Sequence, residues 1–500
     1  MARVIWGFPL WDSVYGLFGH FARRNSTWPC LNLALLGAVC EANGHEAIIF
    51  DGEAEQWPVE VLARKIVDAK PDIVGISAYS PFFHLSADLA GEIKKINKDI
   101  PVMGGGPHFT IVKEKAMLPQ FDYGFLGEGE DSLPAFLNAF DSSCKFSGIR
   151  GLMYRENGEI KSTGPRWVVD SPMKKADLGK NYPLDRIPLP ARHLLPMRKY
   201  KLGTPRGRNN FTSIQTQRGC AWKCIFCASE AIKTTRVILK SPKRVIEEMK
   251  DIATRFPFIQ HLYIVDDVLL FWPEHILEIC DRMDAEGLKF TFESSTRANT
   301  VTEDLIKRLS KSGLIRLSFG LETIDPVMRV TMAKKVPIAD YPRSSKICAD
   351  YGVEAMNSLM IGLPGETRAT VMATLDWVSR QRDIKQANLA IAIPYPGTEF
   401  HEMAARGDYG VELLDFELAH YLRYGRAVTN VGDLSAQDLI DLQNEGFVMI
   451  YSKPWRWMPV WKKHGLFGFL LQMYRVLKLW KKRFLRLSPL QPVMRHPKET

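Results

Sequence analysis

Three cysteines, Cys220, Cys224 and Cys227, fall within eight residues at C-x3-C-x2-C spacing, in the run Arg218-Gly219-Cys220-Ala221-Trp222-Lys223-Cys224-Ile225-Phe226-Cys227. Thiolates are soft ligands that suit zinc or an iron–sulfur cluster. A closed structural zinc site takes four protein ligands, and the next Cys or His residues, His261 and Cys280, stand in no paired-ligand spacing. Three thiolates from one loop can instead wrap one face of a cubic cluster and leave its fourth iron without a protein ligand. An open iron can bind a substrate or cofactor, so the spacing predicts a reactive site.

The elements around this loop must position it. A β-like run, Phe211–Thr216, leads into the cysteines, and strand-like and helical segments alternate after them. The strands read as His261–Val265, Lys289–Ser294, Ile315–Glu322, Glu354–Ile361 and Ala387–Ile393, with a helix at Pro242–Arg255. Polar residues gather where the strands end: Asp266-Asp267, Arg297, Ser318, Glu322, and the turn Gly362-Leu363-Pro364-Gly365-Glu366. In a parallel barrel those ends form the mouth where chemistry sits. Singly, each has an ordinary role: adjacent aspartates cap a helix, and Gly-x-Pro-Gly makes a turn.

Residues 1–150 repeat the alternation. Strands at Val4–Phe8, Ala47–Phe50, Ile73–Ser77, Val102–Gly104 and Tyr123–Leu126 are separated by helical patterns at Leu31–Asn43, Val59–Ala69 and Leu85–Asn97, with Leu133–Phe140 following. This βαβα rhythm predicts an α/β domain with a doubly wound parallel (Rossmann-like) sheet, which binds ligands beyond the carboxyl ends of its strands. Three polar or glycine-rich clusters lie at those ends: Ser77-Ala78-Tyr79-Ser80, Gly104-Gly105-Gly106-Pro107-His108, and Gly127-Glu128-Gly129-Glu130. Consecutive glycines let backbone approach a ligand closely.

The cysteine spacing, with Phe226 just before the last thiol, resembles the radical S-adenosylmethionine superfamily. The resemblance implies a partial (βα)6 TIM-like barrel over about residues 206–420, carrying a 4Fe-4S cluster on Cys220, Cys224 and Cys227. It implies that the open iron chelates S-adenosylmethionine, and that an electron from a flavodoxin or ferredoxin cleaves the sulfonium to a 5′-deoxyadenosyl radical. Carried onto this sequence, it places Asp266 and Asp267 at the methionine amino group and Arg297 at its carboxylate. Ser318 and Glu322 fall to the ribose, and Gly362 and Glu366 border the adenine with Phe226 nearby. The runs Asn43–Glu46, Asp51, Pro71–Ser77, Gly104–His108 and Leu126–Glu130 resemble the cobalamin-binding domain found upstream of many such enzymes. That implies cobalamin against Ser77, Tyr79, Gly104, Gly105, Gly106, Gly127, Glu128 and Gly129. The D-x-H-x-x-G pattern that supplies a cobalt ligand is absent, because Asp51-Gly52-Glu53 has no following His. His84 and His108 could reach the corrin, but as single histidines they read as ordinary polar residues at strand and helix ends. No catalytic residue is singled out.

Together these resemblances imply a cobalamin-dependent radical S-adenosylmethionine enzyme, with methyl transfer to an unactivated carbon of a hydrophobic small molecule as the expected reaction. Ring formation or rearrangement, as in the anaerobic cyclase of magnesium-protoporphyrin monoester, is the alternative. A methylthiotransferase would need a second cysteine trio. A non-catalytic metal-binding scaffold at a membrane is a third reading, from a different class.

The remaining chain adds context. Five hundred residues with 46% hydrophobic and 24% charged content describe a globular protein of more than one domain. Cys30, Cys40, Cys144, Cys280 and Cys348 are scattered and read as small core residues. With no signal peptide and no long apolar run, a cytoplasmic setting is expected. Residues 151–205 read as a hairpin around Asn157-Gly158 followed by a proline-rich linker. From Gly446 to Thr500 there are twelve Lys and Arg against one acid, so the net charge of +10 belongs to the tail. Within residues 421–500, Trp455, Trp457 and Trp461 precede a basic amphipathic pattern at Leu466–Arg486. That pattern suits either peripheral contact with an anionic membrane or packing on the barrel. Nothing resembles a nucleic-acid-binding module, and no nucleic acid is expected as a partner.

Overall fold

The computed structural model describes residues 1–11, 26–142, 145–169, 171–233 and 237–457. The Leu466–Arg486 pattern, Trp461 and Cys144 lie outside them. Two sheets organise the chain. The first contains β1 (Arg3–Phe8), β2 (Glu46–Asp51), β3 (Ile73–Ser77), β4 (Val102–Gly105), β5 (Tyr123–Phe125), β6 (Leu152–Glu156) and β7 (Glu159–Ser162), in the order β2-β1-β3-β4-β5-β6-β7. The first five are parallel. Every residue of β3 is buried, as expected of a continuous apolar run covered by helices on both faces. Those helices include α1 (Leu31–Ala42), α2 (Val59–Asp68), α3 (Phe83–Ile96) and α4 (Gly129–Ser142).

The hairpin assigned to the linker belongs instead to this sheet. β6 pairs antiparallel with β5, from Tyr123↔Tyr154 to Phe125↔Leu152, because Leu152, Met153 and Tyr154 have apolar surface to bury. Its turn has positive φ at both Asn157 (52°) and Gly158 (82°), the two-residue geometry that suits strand twist.

The second sheet is a curled half-barrel of six parallel strands: β8 (Gly207–Ile214), β9 (His261–Ile264), β10 (Thr291–Thr296), β11 (Leu314–Glu322), β12 (Glu354–Ile361) and β13 (Gln386–Ile391). Along β12 burial alternates. Asn357 donates to Ser345 in the outer helix layer at 3.1 Å, which turns Met356, Ser358 and Met360 to the lumen. Beyond β8 the sheet continues antiparallel through Lys201–Thr204 to Ser26–Thr27, a strand from the first domain. The proline-rich strap is fastened by Arg192. It is fully buried, bonds Ser213 O (2.7 Å) and Glu248 (2.6 Å), and shares Glu248 with Lys240 (2.6 Å).

Packing on the barrel extends past residue 420. α5 (Ala436–Tyr451) lies over β13, where Gln443 donates to Leu389 O at 2.8 Å. Gly446 makes this approach possible, since a Cβ there would stand 2.5 Å from a Leu389 methyl. Arg456, buried, donates to Val378 O at 2.6 Å, and the Trp457 indole donates to Tyr451 O. Among the described residues, no helix is long and apolar enough to cross a membrane.

Candidate active site

The cysteine loop leaves β8 and is closed at its base by a two-residue antiparallel pairing, Gln217↔Leu239 and Arg218↔Ile238. Gly219, with φ 91°, makes the turn into Cys220. Phe400 N donates to Ile225 O at 2.9 Å and holds the loop's middle, and Cys227 N donates to Cys224 O. Cys220 and Cys224 are partly buried and Cys227 is exposed. Burial pushes the Cys220 thiol up to about 11 and raises Cys224, opposed there by the charges of Lys334 and Arg297. Among the described residues no three His, Cys, Asp or Glu side chains converge on one metal position. Three soft thiolates on one loop are the donor set that a cubic cluster takes, each meeting a different iron.

The strand ends surround the loop. Arg297, 8% exposed, stacks over the Trp222 indole with its Cζ 4.1 Å from the ring centre, and its buried Nε has no hydrogen-bond partner. Burial lowers its pKa. A desolvated guanidinium facing the cysteines is a ready receptor for a carboxylate. Glu322 closes β11 at a register shift and has φ 63°, a strained conformation that persists only where the surroundings impose it. It pairs with Lys334 at 3.2 Å. A Cβ at Gly320 would lie 2.3 Å from the Glu322 carboxylate and 2.8 Å from Lys334 Nζ, so glycine leaves room for that pair. Ser318, half-buried, sits beside Ser295 and Met356 in the strand register. Phe226 packs against the main core.

Two carboxylates expected at the ligand are occupied within the protein. Asp266 accepts from Thr216 N (2.9 Å), the Thr216 hydroxyl and Gln217 N (3.0 Å), and burial raises its pKa to about 6. It braces the strand leading to the cysteines, while its neighbour Asp267 lines the cavity described below. Glu366 accepts from Gly362 N (2.5 Å) and Leu363 N (3.2 Å), holding the Gly-x-Pro-Gly turn from beneath.

Burial pushes the Glu366 carboxyl up to about 8 from 4.5, against those hydrogen bonds. Below pH 4.5 the acid is protonated in folded and unfolded chains alike; between 4.5 and about 8 only the unfolded chain ionises. Stability therefore falls as pH rises through that window, by on the order of 3–5 kcal/mol from this residue. Glu366→Gln should flatten the decline, seen as a smaller drop in unfolding temperature between pH 5 and pH 8 in ligand-free protein.

Between the two sheets lies a cavity of about 830 Å³. Its walls are largely apolar, with Phe8, Trp11, Trp28, Leu35, Phe125 and Ile232 prominent. Ser77, Tyr79, Gly104, Gly105, Gly106, Gly127, Glu128 and Gly129 all border it, and from the barrel so do Ser213, Gln215, Arg218, Val265 and Asp267. The glycines differ in purpose. A Cβ at Gly104 would stand 2.0 Å from the Phe109 ring and one at Gly127 2.2 Å from Arg166 O, so these two serve internal packing. Gly106 (φ 98°) is likewise held to its own fold, since a Cβ there would stand 3.0 Å from Ala78 O; Gly105 meets nothing closer than 3.4 Å and leaves the sheet end open to a flat ligand. His108 is buried, bonded to Ser80 (3.1 Å) and brought down to about 4 by burial. Neither it nor His84 lines the cavity.

Glu128 is also committed. It accepts from Arg218 (2.7 Å) and from Val168 N (2.5 Å), while Arg218 reaches Glu130 at 2.6 Å. Sequence reasoning passed over Arg218, Lys334 and Trp222 as site residues. Arg218 and Trp222 stood in the cysteine run itself, but Lys334 lies just past the short helix Pro326–Thr331, where no periodic signal marks it.

The B12 binding domain family matches residues 20–137 and the Radical SAM superfamily residues 214–378. Uncharacterized methyltransferase PH0819 of Pyrococcus horikoshii is 30% identical, across 86% of this chain and 89% of that one. The anaerobic magnesium-protoporphyrin IX monomethyl ester cyclase of Rubrivivax gelatinosus is 25% identical, across 79% and 69%. The solved structure of the radical S-adenosylmethionine methyltransferase TsrM from Kitasatospora setae, with cobalamin and a 4Fe-4S cluster bound, shares the fold. Its TM-score is 0.68 at 18% identity, across 97% of this chain and 100% of that one.

Proposed function

Because the chain belongs to the cobalamin-binding radical S-adenosylmethionine enzymes, we propose that it transfers a methyl group to an unactivated carbon of a hydrophobic small molecule. The observation that carries this reading is the apolar cavity between the sheets, where the strand ends of the first domain face those of the barrel. When bound, the cluster, S-adenosylmethionine and cobalamin supply reductive cleavage of a sulfonium and a transferable methyl group. The protein's part is to hold the cofactors and substrate at short range and keep water out.

Cys220, Cys224 and Cys227 hold three irons. Arg297, with Lys334 nearby, takes the methionine carboxylate. Asp267, which lines the cavity, takes the amino group, and Asp266 braces Thr216 and Gln217 behind it. Glu322 serves the ribose with Ser318, and the turn braced by Glu366 borders the adenine beside Phe226. The corrin lies against Ser77, Tyr79, Gly105, Gly106 and Gly129.

Cyclisation without methyl transfer is the second reading, favoured by the likeness to the magnesium-protoporphyrin cyclase. Reconstituted enzyme incubated with S-adenosylmethionine labelled in its methyl group, and with lipid extract from a strain lacking the gene, separates the two. Label in an organic-soluble product supports methylation. A product that has lost hydrogens and carries no label supports cyclisation and overturns the first reading.

A further inference from the structure

We propose that Arg218 is the positioning residue that sets the distance between the corrin-bearing domain and the cluster loop. The inference rests on the cofactor reading above and adds a residue to which that reading gives no role. Arg218 spends three N–H groups on three acceptors: Nε on Gln215 (2.8 Å), Nη1 on Glu128 (2.7 Å) and Nη2 on Glu130 (2.6 Å). Three anchors fix the plane of a guanidinium, which a lysine ammonium on one stem cannot do. The Arg218 side chain is 11% exposed, Glu128 16% and Glu130 7%, so water competes little for these bonds.

The placement of the two ends gives the clamp its meaning. Glu128 and Glu130 belong to the loop and first helical turn that follow β5, at the carboxyl edge where a corrin would lie. Arg218 precedes Cys220 by two residues, with Gly219 between. The clamp therefore ties the base of the cluster loop, which Arg218 also holds through its pairing with Ile238, to the first domain. The same helical turn holds the strap: Asp131 bonds Arg166 (2.7 Å) and Arg186 (2.5 Å). Three acids at this helix start, Glu128, Glu130 and Asp131, thus meet three arginines from later chain, and Arg218 is the one that leads to the cysteines.

The test measures the distance between the two centres, without needing the substrate. Full-length protein is reconstituted with iron and sulfide, loaded with cob(II)alamin and reduced with dithionite, so that both centres carry an unpaired electron. Their magnetic coupling is read by electron paramagnetic resonance. Native protein should give one well-defined coupling. Arg218→Lys, which keeps the charge but not the fork, should lose that definition and show a broad, weakened interaction. Glu130→Gln, a milder change that spares the Glu128 bond, should shift it less. A merely structural role would lower iron or cobalamin content while leaving the coupling unaltered in molecules that hold both; that result overturns the proposal. Native protein that binds no cob(II)alamin would refute the cofactor reading, and the clamp with it.

Discussion

Alanine at any one of Cys220, Cys224 and Cys227 should abolish release of 5′-deoxyadenosine from S-adenosylmethionine in reconstituted, reduced protein, while the fold survives. The loop's backbone does not depend on the thiols. Its base is tied by the pairing of Gln217–Arg218 with Ile238–Leu239, and its middle by Phe400 N on Ile225 O. Losing one sulfur therefore removes a ligand and little else. Iron content should fall, and the unfolding temperature of the metal-free protein should hold. Cys280→Ala supplies the contrast: that thiol is buried in a barrel helix, so its loss should cost about 1–2 kcal/mol of stability and leave the cluster intact. Turnover in a trio variant would end the case for a three-thiolate cluster.

Arg297→Met should weaken binding of S-adenosylmethionine about 10- to 150-fold, the equivalent of one charge-assisted hydrogen bond of about 1.5–3 kcal/mol. The same change should raise the unfolding temperature of the ligand-free protein. The two effects have one cause. Arg297 is buried over the face of Trp222 with its Nε unpartnered. The cation–π contact returns about 2 kcal/mol when desolvated, less than the several kcal/mol that an uncompensated buried charge costs. Methionine fills similar volume without that cost. Calorimetric titration and thermal melts on one preparation check both, and a variant that loses stability and affinity together would mark Arg297 as structural.

What the sequence made legible follows from how local each signal is. The cysteine trio lies within eight residues and speaks through ligand chemistry alone. Buried parallel strands such as Ile73–Ser77 announce themselves as unbroken apolar runs. The pair Asp266-Asp267 was harder: at a strand end, one residue of offset decides which carboxylate turns inward to Thr216 and which lines the cavity. The clamp of Arg218 joins residues 90 and 88 positions apart, and no short-range pattern carries that pairing. The hairpin at Asn157-Gly158 was visible as a hairpin, but its attachment to β5 depends on burial of Leu152 and Tyr154 in a sheet laid down earlier.

The short strand Ser26–Thr27 bears on how the chain comes off the ribosome. It belongs to the segment made first, yet its partner, Lys201–Thr204, is synthesised some 175 residues later. The nascent Rossmann-like unit can fold early, as leading domains do, but it must keep this segment unpaired until the strap emerges. Final closure thus waits on late translation, and fragments cut between the two units would each be left with an unsealed edge.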